Sequence, residues 1–453
     1  MTIEFGEKER LKVIAENCWL PHIGAADVLK RKGWTVFTEG HGIYLRDNQG
    51  KEYIDAASGN NCTSLGHGNK KIIEAVKEQL DKLQYTTAAR TDVSIRLCQR
   101  IAEITPGDLN HVYLGVHGSD ANEAALATAR SYFRAQGKQN SIVVSRWLAF
   151  HGQSRGVSGI TSVWKGRHGL DTATINYGVY HLPPPYCYRC PYGLEYPSCG
   201  ICCAQALDEM LMSVGADSVA AFIGEPVFGS GGAISPPDEY WPLIRQICDK
   251  YGILLIDDEV IDGFGRTGKL FACEHWNIVP DMMTMAKGIT GAYLPLSAVV
   301  GRDHVFQTLG KEGFPYGGHT HSFYPVGAAC ALAAIDVIME ERLWENAAKV
   351  GAYVKGRLEK ICQQSEIVGT IHGIGLHLGL EIVEDKASKK ASLALSNAIV
   401  RKARQKGVVF GRIGDRRDIL SICPPIIITD KQAAQLCDVL AEAVKETEAA
   451  RQK

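Results

Sequence analysis

The chain has 453 residues, 45% of them hydrophobic, and it balances 49 Lys and Arg against 50 Asp and Glu. That length can bury a large core and suits one large domain with a smaller one, and the near-zero charge argues against a nucleic-acid surface or a basic membrane-binding face. No apolar run reaches the roughly 18 residues that cross a bilayer, and the charged first residues lack the apolar core of a signal peptide, so we expect a cytoplasmic protein.

The first predicted element is a β-hairpin. Residues 42–55 alternate apolar and polar side chains on either side of a turn at 48–50. Residues 376–382 alternate in the same way, between helical stretches at 341–363 and 391–406. We therefore expect a small α+β domain built from both ends of the chain, 1–65 and 329–453, packed on a large domain over 66–328.

The middle of the chain alternates short apolar runs with amphipathic helical stretches. Apolar strands separated by helices predict a largely parallel sheet that is covered on both faces. Ligands of such sheets bind beyond the carboxyl ends of the strands. The predicted strands are 112–114, 142–144, 221–223, 253–256 and 296–300.

A turn of small residues follows the first of these strands. Gly118 and Ser119 precede a run of good helix formers. Such a turn presents free backbone N–H groups and the positive end of the helix dipole, which suits a phosphate. An ordinary helix N-cap at Ser119 is the plainer interpretation.

Three acidic residues end the strand at 253–256. Asp257, Asp258 and Glu259 are costly at the end of a buried strand unless each one is paired or solvated. The loop that follows contains Arg266, which is a candidate partner in a purely structural ion pair.

A lysine ends the apolar run 282–286. Burial disfavours the charged form of Lys287, and a neutral amine is what an enzyme needs to bond covalently with a carbonyl group. The alternative is a lysine whose amine reaches solvent.

In combination, these segments resemble the class III (omega) aminotransferases, from about Trp34 to Thr447, most closely those that use pyruvate. The most specific match is 256–268, followed at the family's spacing by Pro280-Asp281 and Lys287-Gly288. Supporting matches are 118–123, 150–152, 224–226 and 294–298. The resemblance implies an α/β enzyme of fold type I, with pyridoxal 5'-phosphate as cofactor, a large and mainly parallel sheet of the seven-stranded type, and a smaller α+β domain from both termini.

The resemblance also implies a role for each matched residue. Lys287 carries the cofactor and moves the substrate proton, while Asp258 faces the pyridine nitrogen and keeps it protonated. Thr320 reaches the phosphate in the neighbouring subunit, which implies a homodimer, or a dimer of dimers, with shared active sites. The other expected cofactor contacts are Gly118 and Ser119 at the phosphate, Phe150 and Val260 on the two ring faces, and His151 and Glu225 beside the ring.

Two departures from the family pattern concern the acceptor and the subunit contact. Ser421 stands where many members have an arginine that holds a 2-oxo acid, and Arg412, in a stretch similar to the mobile arginine of pyruvate-dependent members, is the candidate replacement. Arg416, Arg417 and an exposed loop role for Arg412 are the alternatives. After Thr320 the chain lacks the usual Gly-His-Pro, so the surroundings of this threonine differ.

A third departure concerns the amine donor. Asn61 stands where many omega-aminotransferases place a pocket tryptophan. An amide in place of a large apolar wall predicts a roomier and more polar pocket. This favours a hydrophilic donor, such as an omega-amino acid or an aminosulfonate like taurine.

The sequence thus predicts an aminotransferase with a small polar amine donor and pyruvate, or less favoured 2-oxoglutarate, as acceptor. Its nearest rival is an amino-acid racemase or epimerase, or a decarboxylating transaminase, on the same scaffold. A non-catalytic relative is disfavoured because Lys287, Asp258 and Ser119 are all present.

The chain has 14 cysteines, most of them single and in apolar contexts, which suits free thiols in a reducing compartment. Cys187, Cys190, Cys199 and Cys202 form a paired C-x-x-C pattern, with Cys203 beside it. Thiolate ligation of a structural metal is one interpretation. Similar loops in relatives without a metal make the absence of a metal the expectation.

Overall fold

The computed structural model describes residues 5–20, 23, 25–30, 34–163, 178–310 and 313–451. Its strands are β1 (Phe37–His41), β2 (Tyr44–Asp47), β3 (Glu52–Asp55), β4 (Leu109–Gly115), β5 (Ile142–Arg146), β6 (Val179–Leu182), β7 (Val219–Gly224), β8 (Leu254–Asp258), β9 (Met282–Met285), β10 (Ser297–Arg302), β11 (Val368–Ile374), β12 (His377–Ile382), β13 (Val408–Val409), β14 (Gly411–Ile413) and β15 (Ile419–Ile422).

The helices range in length from about one turn to about six turns. They are α1 (Glu7–Asn17), α2 (Ala25–Leu29), α3 (Ser58–Asn61), α4 (Lys70–Lys82), α5 (Asp92–Ile104), α6 (Gly118–Ala135), α7 (Arg155–Ile160), α8 (Cys202–Val214), α9 (Tyr240–Tyr251), α10 (Asp303–Leu309), α11 (Pro325–Glu340), α12 (Leu343–Gln364), α13 (Leu393–Gln405) and α14 (Asp430–Arg451). None of the helices in the described segments is both long and apolar enough to cross a membrane.

The largest sheet has seven strands in the order β4-β10-β9-β8-β7-β5-β6. Strands β9, β8, β7, β5 and β6 run parallel, and β10 runs antiparallel to both of its neighbours. Every residue of β7, β8 and β9 is buried, because helices cover both faces of a parallel sheet. The structure therefore confirms the mainly parallel α/β sheet and shows that its strand at 297–302 runs in the opposite direction.

The parallel strands bring their carboxyl ends to one edge of the sheet. Strand β4 leads into α6, β8 ends at Asp258, and β9 is followed by Lys287. These segments lie far apart in the chain but end at the same edge, where ligands of such sheets bind.

Two four-stranded sheets flank the large one. In the first, β2 and β3 form the expected hairpin, and β13 pairs with β3 in parallel so that Val408 lies beside Ile54. In the second, β11, β12, β15 and β14 pair antiparallel. Segments from both ends of the chain thus share one sheet. The division of the chain into a small and a large domain at residues 65 and 328 stays a prediction.

Candidate active site

A cavity of about 150 Å³ opens at the carboxyl edge of the large sheet. The first turn of α6, the segment after β5, and the ends of β7, β8 and β9 form its walls. The predicted residues that line it are Gly118, Ser119, Phe150, His151, Glu225, Asp258, Val260 and Lys287.

Asp258 is held in one orientation by three hydrogen bonds. Its Oδ2 accepts from His151 Nδ1 at 2.7 Å and from Asn122 Nδ2 at 2.8 Å, and its Oδ1 accepts from the backbone N–H of Val260 at 3.1 Å. Thr284 Oγ1 donates to Asn122 Oδ1 at 2.8 Å and fixes the amide in turn. Because Asp258 is only 2% exposed, its carboxylate cannot turn without breaking this network.

Asn122 was missed in the sequence. It lies three residues after Ser119, so both residues occupy the same face of α6, and that spacing was the available signal. His151 was expected to contact the cofactor, but its bond to Asp258 was not foreseen. Within the described chain, the buried His151 Nε2 has no hydrogen-bond partner.

Lys287 lies in a strained backbone conformation. Its φ is +44°, in the left-handed region that a side chain with a Cβ rarely adopts. Such outliers persist when the surrounding structure enforces them, and they concentrate at functional sites. The side chain is half-buried, at the end of the fully buried strand β9.

The first turn of α6 forms a cradle in the wall of the cavity. The helix begins at Gly118 with His117 as its N-cap, so the interpretation of Ser119 as the cap is wrong. A Cβ on Gly118 would lie 3.0 Å from Val260 Cγ1, and one on Gly152 would lie 2.3 Å from Ser119 Oγ. Glycine at both positions keeps the helix N-terminus open to an anion.

The acidic residues around β8 do not pair with Arg266 as the structural hypothesis supposed. Arg266 donates to the carbonyl oxygens of Leu376 and Pro424, because its loop turns toward the small sheets. Asp262 is paired instead with His377 Nδ1 at 2.7 Å.

Asp257 and Glu259 form the most enclosed acidic group. Each is at most 1% exposed, and one oxygen of each lies within 4.8 Å of the other and of Cys273 Sγ. Burial, together with the charge of neighbouring carboxylates, raises the pKa of both acids well above their usual range. Two carboxylates this close disfavour each other's charge.

Glu225 lies beside Phe150 in the wall of the cavity. Its oxygens accept from the backbone N–H groups of Phe150 at 3.2 Å and Gly229 at 3.0 Å. Burial raises the pKa of its carboxyl to about 7.

The predicted substrate and subunit residues lie outside this lining. Asn61 is buried, and Ser421 Oγ donates to its Oδ1 at 3.5 Å. Arg412 Nη1 donates to Asn397 Oδ1 on α13. Thr320 is exposed, and its carbonyl oxygen accepts from Tyr85 OH at 2.7 Å.

All fourteen cysteines are free. Cys187, Cys190, Cys199, Cys202 and Cys203 surround one small apolar cavity. Among the described residues, no three of them bring sulfur atoms within 4.8 Å of one another. The structure therefore does not gather these cysteines into a preformed metal site.

The residues present fit pyridoxal 5'-phosphate. The cavity has an amine at Lys287 for an aldehyde, a fixed carboxylate at Asp258 for a ring nitrogen, and a helix N-terminus for a phosphate. The unpartnered His151 Nε2 and the glycine cradle are further features that a bound group would complete.

Comparison with known proteins agrees with this geometry. Residues 26–444 match the Aminotransferase class-III family. The chain is 33% identical to the putrescine–pyruvate aminotransferase of Pseudomonas aeruginosa, over 97% of this chain and 96% of that protein, and 34% identical to the taurine–pyruvate aminotransferase of Bilophila wadsworthia, over 87% and 89%. It is also 34% identical to a leucine/methionine racemase of Thermococcus litoralis, over 89% of each chain.

Solved structures give the same result. An (S)-enantioselective omega-transaminase from Thermomicrobium roseum superposes with a TM-score of 0.89 at 34% identity, over 97% of this chain and 98% of that one. The family match and these relatives show that the chain belongs to the class III aminotransferases, enzymes that depend on pyridoxal 5'-phosphate.

Proposed function

We propose that this enzyme transfers an amino group from a small, polar omega-amino acid or amine to pyruvate. The donor class includes taurine-like aminosulfonates. The observation that carries the proposal is the contact between two buried polar residues, Asn61 and Ser421, at positions where many members of the family have a tryptophan and a carboxylate-binding arginine. The two relatives named for pyruvate, one for putrescine and one for taurine, support the same class.

The cofactor is held by groups at three points of the cavity. Lys287 Nζ would hold its aldehyde, Asp258 would pair with the ring nitrogen, and the N–H groups of Gly118 and Ser119 with the Ser119 hydroxyl would hold the phosphate. Phe150 and Val260 enclose the ring, with His151 and Glu225 beside it. When bound, the cofactor supplies an aldehyde that takes up the amino group and a cationic ring that accepts the electrons of the broken bond. Lys287 Nζ then moves the proton released from the donor carbon.

The donor pocket lies close to that amine. Burial raises the pKa of the Cys62 thiol, and the charge of Lys287 partly offsets the effect, which supports a position of the adjacent Asn61 near Lys287. The side chains of Asn61 and Ser421 offer hydrogen bonds to a donor, where a tryptophan would offer an apolar face.

Arg412 is proposed to bind the acceptor carboxylate. Its neighbour Gly411 pairs with Ser421 across β14 and β15, so Arg412 is one residue away from the pocket wall. Successive strand residues point to opposite faces, and Arg412 is bonded to Asn397 on the far side. To bind the acceptor, the guanidinium must leave Asn397 and turn inward, where it can hold a carboxylate through two hydrogen bonds.

The subunit arrangement is also a proposal. Thr320 is exposed on a loop that lies against the phosphate end of the cavity. We propose that it reaches the phosphate of the neighbouring subunit in a homodimer or a dimer of dimers.

A racemase is the second candidate, because one relative is a leucine/methionine racemase. Purified enzyme incubated with taurine, putrescine, β-alanine or L-leucine and with labelled pyruvate separates the two functions. We expect labelled alanine from a polar amine. Inversion of leucine without any alanine would contradict the proposal.

Arginine variants test the acceptor assignment. Arg412→Ala should raise KM for pyruvate about tenfold or more and leave the first half-reaction with the amine nearly unchanged, because it removes only the carboxylate partner. Arg416→Ala is the matched control. A rise of KM in the control and not in Arg412→Ala would move the role to Arg416.

A further inference from the structure

The phosphate end of the cavity, at the first turn of α6, has no lysine or arginine other than Lys287 among the described residues. The amine of Lys287 would be held by the aldehyde of the cofactor, so it would not be available to the phosphate. Three carboxylates, Glu225, Asp258 and Asp262, line the same cavity. A phosphate beside these carboxylates would therefore gain from a further N–H donor in addition to the helix N-terminus.

His117 stands at this end of the cavity. It is the N-cap of α6, it precedes the cradle residue Gly118, and it lines the cavity. Its Nδ1 lies 3.4 Å from Asp120 Oδ2, which also accepts from the backbone N–H groups of Val116 at 3.2 Å and His117 at 3.1 Å.

A second histidine flanks the same carboxylate. His319 Nε2 lies 3.2 Å from Asp120 Oδ1. Its loop is fastened to β4, since Tyr113 OH and Ser322 Oγ lie 2.7 Å apart and Phe323 N–H donates to the Leu114 carbonyl oxygen at 3.2 Å. Asp120, 8% exposed in the first turn of α6, thus has an imidazole beside each of its oxygens.

We propose that His117 is a further phosphate-binding residue of the cofactor site, and that His319 is a positioning residue that acts through Asp120. A carboxylate in the first turn of α6 would repel a phosphate at the same turn, and a side chain with ring N–H donors that lies between them lowers this cost. His117 can meet the phosphate on one side and Asp120 on the other. His319 contacts the second oxygen of Asp120, so His117 remains available to bind the phosphate. This inference rests on the phosphate site proposed above.

The test measures binding to the apoenzyme, which does not depend on turnover. His117→Asn keeps a good N-cap residue and removes the imidazole. Titration with pyridoxal 5'-phosphate, followed by absorbance, should show about tenfold weaker binding, while binding of pyridoxal, which lacks the phosphate, stays unchanged. His319→Gln should weaken binding of the phosphorylated form about threefold.

His321→Gln is the matched control. This histidine lies on the same loop, but its ring packs against Tyr85 and Tyr324, so both ligands should bind as in the natural chain.

Several outcomes would overturn the inference. An unchanged affinity in His117→Asn would do so, and so would equal losses for pyridoxal and its phosphate, which would indicate a structural role. Should His117→Asn not fold, His117→Gln decides by the same ratio. Ser119→Ala separates this inference from the phosphate site itself. If Ser119→Ala binds pyridoxal 5'-phosphate as tightly as the natural chain does, the phosphate site is elsewhere. If Ser119→Ala binds the phosphorylated form more weakly and His117→Asn does not, only the role of His117 fails.

Discussion

Asn122 orients Asp258, the carboxylate that we propose pairs with the ring nitrogen of the cofactor. Its amide donates to Asp258 Oδ2 at 2.8 Å in a fully buried position. Asn122→Asp places a second carboxylate there, and two carboxylates at that distance must share a proton. The ring nitrogen then loses its anionic partner, so kcat/KM should fall at least about 100-fold, or about 3 kcal/mol.

Asn140→Asp is the matched control for this substitution. Asn140 is also a buried amide, but it donates to the carbonyl oxygens of Ala216 and Val219 away from the cavity. The control should lower the thermal midpoint and keep the visible spectrum of the bound cofactor. If Asn122→Asp keeps both spectrum and activity, Asn122 does not set the charge of Asp258.

Glu225 makes the stability of the apoenzyme depend on pH. Burial raises the pKa of its carboxyl from 4.5 to about 7, so the folded protein holds this proton more tightly than the unfolded chain does. The associated stability is fully present below pH 4.5 and is lost as the pH rises through about 7. Glu225→Gln removes this loss.

The difference in the free energy of unfolding between Glu225→Gln and the natural chain should therefore rise by up to about 3 kcal/mol, in favour of the variant, from about pH 4.5 to about pH 7. Above that range the difference should stay constant. Chemical denaturation of the apoenzyme from pH 4.5 to 8 measures it. Substitution of the exposed Glu366 by Gln should show no such trend. A constant difference across the range would contradict the shifted pKa.

Helix α12 offers a contrast between two glycines of one element. A Cβ on Gly356 would meet nothing within 4 Å, whereas one on Gly351 would lie 2.3 Å from the backbone of Gly375. Gly356→Ala should therefore stabilise the protein by about 0.5–1 kcal/mol, because alanine loses less backbone entropy in a helix. Gly351→Ala should destabilise it by at least about 1–3 kcal/mol, because backbone atoms cannot yield as side chains do.

Thermal and denaturant unfolding of the two variants checks this contrast. Equal shifts in the same direction would mean that helix propensity alone decides, and that the close approach of α12 to Gly375 does not constrain the helix. Gly375 has a φ of +60°, so its backbone has little freedom to retreat.

At the scale of the whole molecule, one buried glutamate ties the cysteine-containing loop to the second small sheet. Glu381, on β12, is 0% exposed and accepts hydrogen bonds from Tyr186, from Arg189 Nε at 2.5 Å and from His372 Nε2 at 2.9 Å. Burial alone would raise the pKa of Glu381, but the hydrogen bonds from His372 and Tyr186 and the charge of Arg189 hold it below its usual value.

Glu381→Ala should lower the free energy of unfolding by about 3–5 kcal/mol, because it leaves the partly buried guanidinium of Arg189 and the buried side chains of Tyr186 and His372 without their partner. The contribution of Glu381 is present above the unfolded pKa of 4.5 and is lost as the pH falls through the lower folded pKa. Glu384→Ala, which removes a partly exposed ion pair with Lys390, should cost less than about 1 kcal/mol. Equal effects in the two variants would show that the Glu381 network does not hold the loop.

The sequence alone determined the chemistry of the strand ends. The local patterns are a buried apolar run followed by Asp258 or by Lys287, and a strand followed by Gly118-Ser119. Because parallel strands end at the same edge of their sheet, these residues are expected to lie close together. Only the tertiary structure decided how these groups are held. Asn122 and His151 reach Asp258 from α6 and from the segment after β5, Asn61 meets Ser421 across 360 positions, and β10 reverses its direction. A hydrogen bond between distant segments follows from packing of the whole chain, and it therefore leaves no pattern among neighbouring residues from which it can be predicted.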